Sequence, residues 1–434
     1  MYCHQAIENK LGTFILSKSQ IANLAECFRK SMLNRLNGSE SSLKMLPAFL
    51  DKPTGEERGR YIAVDFGGSK IRLLIVHLKG HREYEITKEH TFLLKDPHNR
   101  YNFTTASTTG SELFAFIVSQ IADFIDDNSI YPLGHTFSFP TLQRSSNDAI
   151  LIKWTKEIKT SGVEGLNVTD IFKTALLERK YHQIIPKVII NDTTGTLLTS
   201  SYNDPNTDLG SICGTGHNTC YFESDYAAFT NSKIINIESG NFNELPYTEY
   251  DNILDINSDM PGEQRLEKMV GGKYIGELFR IIVESFMKGK LLFKNCQLDA
   301  FSEPYLISSQ QVSIILEDIS SDLNSIKMWL MSMGIDSLLE DRLALRLISS
   351  RTAMRAGQLV AATYIGILTH IDPGLLNQHI IAIDGSVYEH LALFADTLRS
   401  TLNCVLGNKA KLVSLKLTKD GSGIGAAIGA AMNT

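Results

Sequence analysis

Apolar side chains recur every three or four positions through residues 14–36, as expected for the buried face of an amphipathic helix. Apolar runs at 61–66 and 71–78, separated by two glycines, instead predict two strands joined by a tight turn. The polar stretch 51–60 contains proline and glycine, and we interpret it as a connector. The pattern therefore predicts one helix followed by a sheet in this part of the chain.

The rest of the chain alternates between the same two patterns. Strands are predicted at 134–139, 187–190, 208–221 (strand, glycine turn, strand), 380–384 and 412–417, and helices at 111–126, 264–290, 340–370 and 424–432. Such alternation is typical of an α/β protein. His135 lies within one of the buried strands, and we interpret it as a core histidine with satisfied hydrogen bonds.

Length and composition narrow the class of protein. The chain has 434 residues, 43% hydrophobic and 21% charged, which suits a globular protein of two large lobes. A net charge of -6 argues against nucleic acid as the main partner. We find no signal peptide, no apolar run long enough for a membrane helix, and six scattered cysteines without metal-site spacing. We therefore expect a reduced, cytoplasmic protein without membrane insertion.

Two glycine turns between predicted strands are candidates for phosphate binding. The first is Asp65-Phe66-Gly67-Gly68-Ser69-Lys70-Ile71-Arg72, and the second is Gly214-Thr215-Gly216. Glycine lets backbone N–H groups approach an anion without a Cβ in the way. An ordinary β-hairpin turn explains the first segment equally well when it is taken alone, and it is the favoured interpretation of the second. Neither segment is a Walker loop, and no GxGxxG motif opens a helix after the first strand.

Asp192 follows Asn191 at the end of the predicted buried strand 187–190. Open α/β sheets place reactive groups at the carboxyl ends of strands, which makes Asp192 a candidate catalytic residue. An Asx turn at a strand exit is the alternative interpretation. The dipeptide alone does not decide between them.

Several segments taken together, in order and spacing, closely resemble the hexokinase family from about residue 46 onward. They are Leu133-Gly134-His135-Thr136-Phe137-Ser138-Phe139-Pro140, Trp154-Thr155-Lys156, Ser161-Gly162-Val163-Glu164-Gly165, Asn191-Asp192-Thr193-Thr194-Gly195-Thr196, Gly214-Thr215-Gly216-His217-Asn218-Thr219-Cys220-Tyr221, Pro261-Gly262-Glu263-Gln264 with Glu267-Lys268-Met269, Asp384-Gly385-Ser386-Val387-Tyr388, and Asp420-Gly421-Ser422-Gly423. The resemblance implies a two-lobed, actin-like (ribonuclease H-like) ATPase fold with a cleft between the lobes. We expect a small lobe at 61–190 with the C-terminal helix 421–434, and a large lobe from 1–60 and 191–420.

The resemblance also assigns residues to a hexose site. The positions implied to surround the sugar are Ser138, Thr155, Lys156, Asn191, Asp192, Asn218, Glu238, Gln264 and Glu267. Asp192 is implied to accept the proton of the primary hydroxyl as it attacks the γ-phosphate of ATP. Lys156 is implied to stabilise the transferring phosphoryl group, with Arg72 as a helper. The resemblance therefore implies that the protein is a hexokinase- or glucokinase-type phosphotransferase.

The nucleotide site is implied by the same resemblance. Its residues are Asp65, Gly67, Gly68, Ser69, Gly214, Thr215, Gly216, Gly385, Ser386, Gly421 and Ser422. We expect Mg²⁺ to be carried by ATP oxygens and water, with no direct protein ligand. Closure of the two lobes on the sugar is expected to exclude water from the reaction.

Two departures from the family pattern leave the identity of the sugar open. Glu157-Ile158 stands where Gly-Phe is usual, and Ser239 replaces a bulky aromatic residue beside Glu238. A third departure, Ser69 for threonine in the first phosphate loop, keeps the hydroxyl. The smaller residue beside Glu238 predicts a larger or looser pocket. The function expected first is phosphorylation of glucose and related hexoses at the 6-hydroxyl, the first step of glycolysis. N-acetylglucosamine kinase and a catalytically weak sugar sensor are the alternatives, and either a monomer or a homodimer is compatible with the sequence.

Overall fold

The computed structural model describes residues 2–127, 129–155, 157–224, 234–294 and 300–434. Its strands are β1 Leu46–Pro47, β2 Arg58–Phe66, β3 Lys70–Gly80, β4 Glu83–Leu93, β5 Tyr131–Phe137, β6 Thr141–Ser145, β7 Asp148–Leu151, β8 Ile184–Ile190, β9 Thr207–Cys213, β10 His217–Phe222, β11 Ile234–Asn236, β12 His379–Asp384 and β13 Val413–Leu417. Its helices are α1 Tyr2–Lys10, α2 Lys18–Leu36, α3 Gly110–Phe124, α4 Val168–Glu178, α5 Asp192–Asn203, α6 Glu249–Ile256, α7 Arg265–Val270, α8 Gly272–Lys288, α9 Ser309–Glu317, α10 Asn324–Ser332, α11 Leu339–Ile371, α12 Ser386–His390, α13 Phe394–Leu406 and α14 Gly421–Met432.

Two mixed sheets form the framework. One has the strand order β4-β3-β2-β5-β8, with β2, β5 and β8 parallel to one another. The other has the order β1-β11-β10-β9-β12-β13, with β9, β12 and β13 parallel. In each sheet an antiparallel hairpin adjoins parallel strands, so hairpin turns and strand carboxyl ends meet at the same edge. This edge is where open α/β sheets place ligands.

Helices α5 and α14 pack between the two sheets. Their small residues allow very close contact: a Cβ on Gly134 of β5 would overlap the backbone of Ala426, and one on Gly425 would overlap the backbone of Gly195. A buried apolar cluster unites α5 and α14 with residues of both sheets, including Val188. The small-residue pattern of α14 therefore serves close packing against a sheet and against α5.

Separate apolar clusters fill the outer side of each sheet. One covers β2, β3 and β5 beneath α3 and α4, and the larger one lies among α2, α8, α11 and the six-stranded sheet. The predicted lobe boundaries follow this division into two sheets, but they stay a prediction. Among the described residues, no helix is long and apolar enough to cross a membrane.

The predicted elements are present, with shifts that have physical causes. The first long helix begins at Lys18 because Ser17 caps it and Gln20 completes a capping box. The predicted helix 264–290 is two helices, since the amides of Gly272 and Lys273 donate to carbonyls of the β9–β10 turn. The hydrophobic pattern did not predict β4, because most of its side chains are not buried. The strand is held by its hydrogen-bonded pairing with β3.

His135 is buried, as predicted, but the prediction that its hydrogen bonds are satisfied is wrong. Neither ring nitrogen has a hydrogen-bond partner among the described residues. The ring lies among aromatic side chains, with its centroid 5.5 Å from that of Phe172 and 5.4 Å from that of Phe137. Burial lowers the pKa of His135 to about 3, so the imidazole is neutral and behaves as an apolar core residue.

Candidate active site

Asp192 is the first residue of α5, directly after strand β8. Asn191 caps this helix, and its Oδ1 accepts from the backbone N of Thr193 at 2.9 Å. Oδ1 of Asp192 accepts from the same N–H, also at 2.9 Å. No described residue donates a hydrogen bond to the other carboxylate oxygen, Oδ2. The strand end and the helix cap thus fix the carboxylate and leave one oxygen to accept a proton.

Asn218 and Glu238 lie beside one another on the six-stranded sheet. The Asn218 Nδ2 donates to Glu238 Oε1 at 3.1 Å, and it lies 3.5 Å from the Thr193 hydroxyl next to Asp192. The Asn218 Oδ1 accepts from the backbone N of Thr219 at 2.7 Å and of Ser239 at 3.2 Å. These bonds fix the orientation of the amide. Three predicted sugar residues from two parts of the chain are therefore brought together.

Gln264 and Glu267 approach the same edge from α7. Oε2 of Glu267 accepts a hydrogen bond from the backbone N of His217 at 2.9 Å. His217 is the residue directly before Asn218. Glycines make this approach possible: a Cβ on Gly216 would overlap the Glu267 carboxylate, and one on Gly240 would lie 2.5 Å from Gln264 Oε1. The chain therefore needs glycine at both positions to hold these side chains where they lie.

Burial and nearby carboxylates together raise the pKa values of two acidic residues near Asp192. Burial raises the pKa of Glu238, and the Asp192 carboxylate contributes to the rise. Burial likewise raises the pKa of Asp384 to about 6, with further contributions from Asp192, Asp420 and Asp65. Asp192 thus lies between a predicted sugar residue and the predicted nucleotide turns. Asp384 lies in one of the family motifs, but it was not predicted from the sequence to be a site residue.

The first glycine turn joins the C-terminal turn through polar contacts. The Ser422 hydroxyl donates to Asp65 Oδ2 at 2.6 Å. Arg72, on β3, pairs with Asp420 and lies 3.9 Å from Asp65 and 3.6 Å from Glu89. Although burial opposes it, these carboxylates keep the pKa of Arg72 above its usual value. Arg72 is therefore a fixed cation at the edge of the predicted nucleotide site.

The second glycine turn contacts the turn after β12. Gly385 has φ +121°, and a Cβ there would lie 2.5 Å from the backbone carbonyl of Cys213 and 2.6 Å from Gly214 N. The Gly214 N donates to Gly216 O at 3.1 Å and closes the turn. Ser386 begins α12 beside it. The predicted nucleotide residues thus fall into two groups, one around Asp65 and one around Gly214.

Ser138 and Thr155 lie on the five-stranded side. The Ser138 backbone N donates to Phe66 O at 3.1 Å, and a Cβ on Gly67 would lie 4.0 Å from the Ser138 hydroxyl oxygen. Thr155 is half-buried after Trp154, whose indole N–H donates to Thr160 O at 2.8 Å. The predicted Lys156 lies outside the described residues, and the place of Thr155 in the sugar site stays a prediction.

The departures from the family pattern have distinct positions. Ile158 is 2% exposed and belongs to the core beneath α3 and α4, whereas Glu157 faces solvent. The Ser239 side chain is fully buried, and its hydroxyl donates to Thr219 Oγ1 at 3.2 Å. Ser239 therefore uses its hydroxyl inside the protein. The predicted widening of the pocket stays a prediction.

One residue that sequence reasoning missed completes the group around Glu238. Asn236 ends strand β11, and its Nδ2 donates to Glu238 Oε1 at 2.8 Å. The signal available in the sequence was an amide two positions before the carboxylate. Glu238 lies beyond the end of the strand in a left-handed conformation, so the hydrogen bond, and not strand alternation, brings the two side chains together.

The fold, with two mixed sheets that each carry a glycine turn where their strands end, is that of the actin-like ATPases. Hexokinase family models match residues 6–202 and 208–432. Hexokinase-7 of Oryza sativa subsp. japonica is 35% identical over 91% of this chain and 89% of its own length. The chain belongs to the hexokinase family and is a hexokinase-type phosphotransferase that uses ATP to phosphorylate a hexose.

Solved structures agree with this assignment. A hexokinase crystal structure aligns with a TM-score of 0.84 at 28% identity, and the hexokinase of Schistosoma mansoni complexed with glucose aligns with a TM-score of 0.84 at 29% identity. Both alignments cover 99% of each chain. Hexokinase-1 of Rattus norvegicus is 32% identical over 98% of this chain, which spans 48% of that relative's length.

Proposed function

We propose that this protein transfers the γ-phosphoryl group of ATP to the 6-hydroxyl of glucose and related hexoses, the first step of glycolysis. The single observation that carries the proposal is the position of Asp192. Asp192 begins α5, in which the Thr193 hydroxyl lies 3.5 Å from Nδ2 of the predicted sugar residue Asn218, and a Cβ on Gly195 would lie 2.7 Å from the backbone of the predicted nucleotide residue Ser422. A base in this place lies between a sugar and a nucleotide.

In this proposal Asp192 is the general base. Oδ1 is occupied by the backbone N–H of Thr193, and Oδ2 accepts the proton of the attacking hydroxyl. Asn218, Glu238 and Glu267 bind the remaining hydroxyls. Their own hydrogen bonds hold them before the sugar arrives, and a site of this kind rejects analogues that lack a hydroxyl, because buried polar groups would be left unpaired.

The proposed ATP site uses backbone N–H groups of the two glycine turns together with Arg72. The carboxylates around it, Asp65, Asp384 and Asp420, suit a hard cation such as Mg²⁺. We propose that they bind water molecules of an Mg²⁺ ion that ATP carries, and Mg²⁺ would neutralise phosphate charge there. Lys156 is expected to assist the transfer, and closure of the lobes at the predicted boundaries is expected to exclude water.

Glucose is favoured because a relative of 29% identity that aligns over 99% of both chains was solved with glucose bound. N-acetylglucosamine and a sensor role without turnover remain alternative outcomes. Retention of a base with a free oxygen at Asp192 supports an active enzyme over a sensor, since binding alone needs no base.

The test is a coupled ADP-release assay with glucose, fructose, mannose and N-acetylglucosamine. Replacing Asp192 by alanine should lower kcat by about 10²- to 10⁴-fold, because a general base contributes that much. Asp170→Ala is the matched control, since Asp170 also lies in the first turn of a helix but is exposed and remote from the cleft residues. Turnover of N-acetylglucosamine alone, or glucose binding without turnover in the wild type, would overturn the proposal.

A further inference from the structure

The Glu238 carboxylate is held by one of its two oxygens. Oε1 accepts from Asn236 Nδ2 at 2.8 Å and from Asn218 Nδ2 at 3.1 Å. Within the described part of the chain, no hydrogen bond reaches Oε2. The two amides thus fix the plane of the carboxylate and leave Oε2 to accept from a sugar hydroxyl.

Asn236 makes the shorter of these two bonds and also positions the other donor. Its Oδ1 accepts from Asn218 Nδ2 at 2.8 Å and lies 3.4 Å from the backbone N of Glu238. The amide therefore has its donor and its acceptor engaged at once, and flipping it would break both bonds. One side chain sets the orientation of two sugar-binding residues.

The position of Asn236 makes this arrangement rigid. It lies at the end of strand β11, paired with Cys220 of β10 on one side and Leu46 of β1 on the other, and it is 8% exposed. Glu238 follows in a left-handed conformation, with φ 56°. A strand anchored on both sides holds an amide more firmly than a loop does.

Electrostatics give Asn236 a second effect on the same carboxylate. Burial and the nearby Asp192 raise the pKa of Glu238, whereas the hydrogen bonds from Asn236 and Asn218 oppose that rise, Asn236 more strongly. A donor to the ionised form favours it. Losing the Asn236 amide should therefore leave Glu238 protonated at a higher pH.

We propose that Asn236 is a positioning residue of the hexose site, which binds no sugar itself but holds the Glu238 and Asn218 side chains in their sugar-binding orientation. This inference rests on the proposed function, because it requires Glu238 to bind the substrate. It adds a residue beyond those that the sequence assigned to the site.

The first experiment compares Asn236→Ala with Asn241→Ala. Asn241 is the matched control because its Nδ2 donates to the backbone O of Glu238 at 3.2 Å and leaves the carboxylate untouched. Asn236→Ala should raise the KM for glucose by about 10- to 100-fold, the effect of one hydrogen bond to a charged group, with a much smaller change in kcat and in the KM for ATP. Its acidic limb of kcat/KM should move to higher pH, and Asn241→Ala should show neither change.

Two further variants separate positioning from folding. In Asn236→Asp the new carboxyl can donate to the Glu238 carboxylate only when the pair of carboxyls holds one proton, so the KM for glucose should be high at neutral pH and pass through a minimum as the pH is lowered. In a Glu238→Ala background, Asn236→Ala should change KM by less than about 3-fold, because the carboxylate that accepts its hydrogen bond is absent. The proposal would be overturned if Asn236→Ala lowered kcat while the KM for glucose and the pH profile stayed unchanged. It would also be overturned if Asn236→Ala raised the KM for glucose by the same factor in the double variant as in the wild type. A wild type that turns over no hexose would instead refute the proposed function.

Discussion

Gly385 joins the turn after β12 to the second glycine turn, and replacing it by alanine perturbs both. Its φ of +121° is a conformation that residues with a side chain rarely adopt. The added Cβ would lie 2.5 Å from the carbonyl carbon and oxygen of Cys213 and 2.6 Å from Gly214 N, all of them backbone atoms. The substitution therefore brings a conformational cost and a steric cost together.

Each cost has a known scale. A residue forced into a glycine conformation costs about 1 to 3 kcal/mol, and overpacking against fixed atoms costs about 1 to 3 kcal/mol more. Gly385→Ala should lower the free energy of unfolding by about 2 to 6 kcal/mol. Gly407→Ala isolates the first cost, because Gly407 has φ +59° and an added Cβ there would meet nothing within 4 Å.

Urea unfolding of both variants measures the difference, and steady-state kinetics show its consequence. The Gly385 variant should lose more stability than the Gly407 variant, and its KM for ATP should rise because the Cβ displaces Gly214. Its KM for glucose should change less, since Asn218 and Glu238 are held by other bonds. Equal stability losses with an unchanged KM for ATP would refute the steric reasoning.

Three other predictions test buried charges. Arg355 donates to both Asp251 oxygens, at 2.8 and 2.7 Å, and is fully buried, so Arg355→Met should cost about 3 to 5 kcal/mol in urea unfolding; a loss below about 1 kcal/mol would contradict it. The hydrogen bond from His379 to Asp208 raises the pKa of His379, so its stabilisation is complete below about pH 6.5 and lost as the pH rises through the folded pKa; His379→Asn should remove that loss from a stability profile. Burial raises the pKa of Asp384 to about 6, so stability should fall from about pH 4 to pH 6, and Asp384→Asn should abolish the fall.

The sequence predicted the α/β class and most elements near the cleft, since short buried strands and glycine turns leave local signals. It predicted Asp192 at a strand end because strand and turn adjoin in the chain. It did not predict where the helix 264–290 breaks, because hydrogen bonds from Gly272 and Lys273 to a turn more than fifty positions earlier cause the break. Long-range contacts of this kind produce no periodic pattern of hydrophobic residues in the sequence.

The sequence predicted which residues form the candidate site better than it predicted the hydrogen bonds between them. The family motifs located Asn218 and Glu238 but gave no reason to include Asn236, whose importance comes from hydrogen bonds across two strands. Asp384 similarly acquires its raised pKa from burial in the folded protein, with smaller contributions from aspartates distant in sequence. Ser239 differs from Asn236 and Asp384, because the sequence did single it out. It was expected to alter the pocket, and in the structure its side chain is fully buried and hydrogen-bonded to Thr219.

The packing of α14 against α5 and β5 has a consequence for biosynthesis. Ala426 meets Gly134 across a separation of roughly 290 residues. At about 5 to 20 residues per second, a ribosome needs on the order of 15 to 60 s to make the intervening chain. During that time this face of β5 lacks its native partner, so folding of the cleft should finish only after α14 has been synthesised, and nascent chains should bind chaperones until α14 docks.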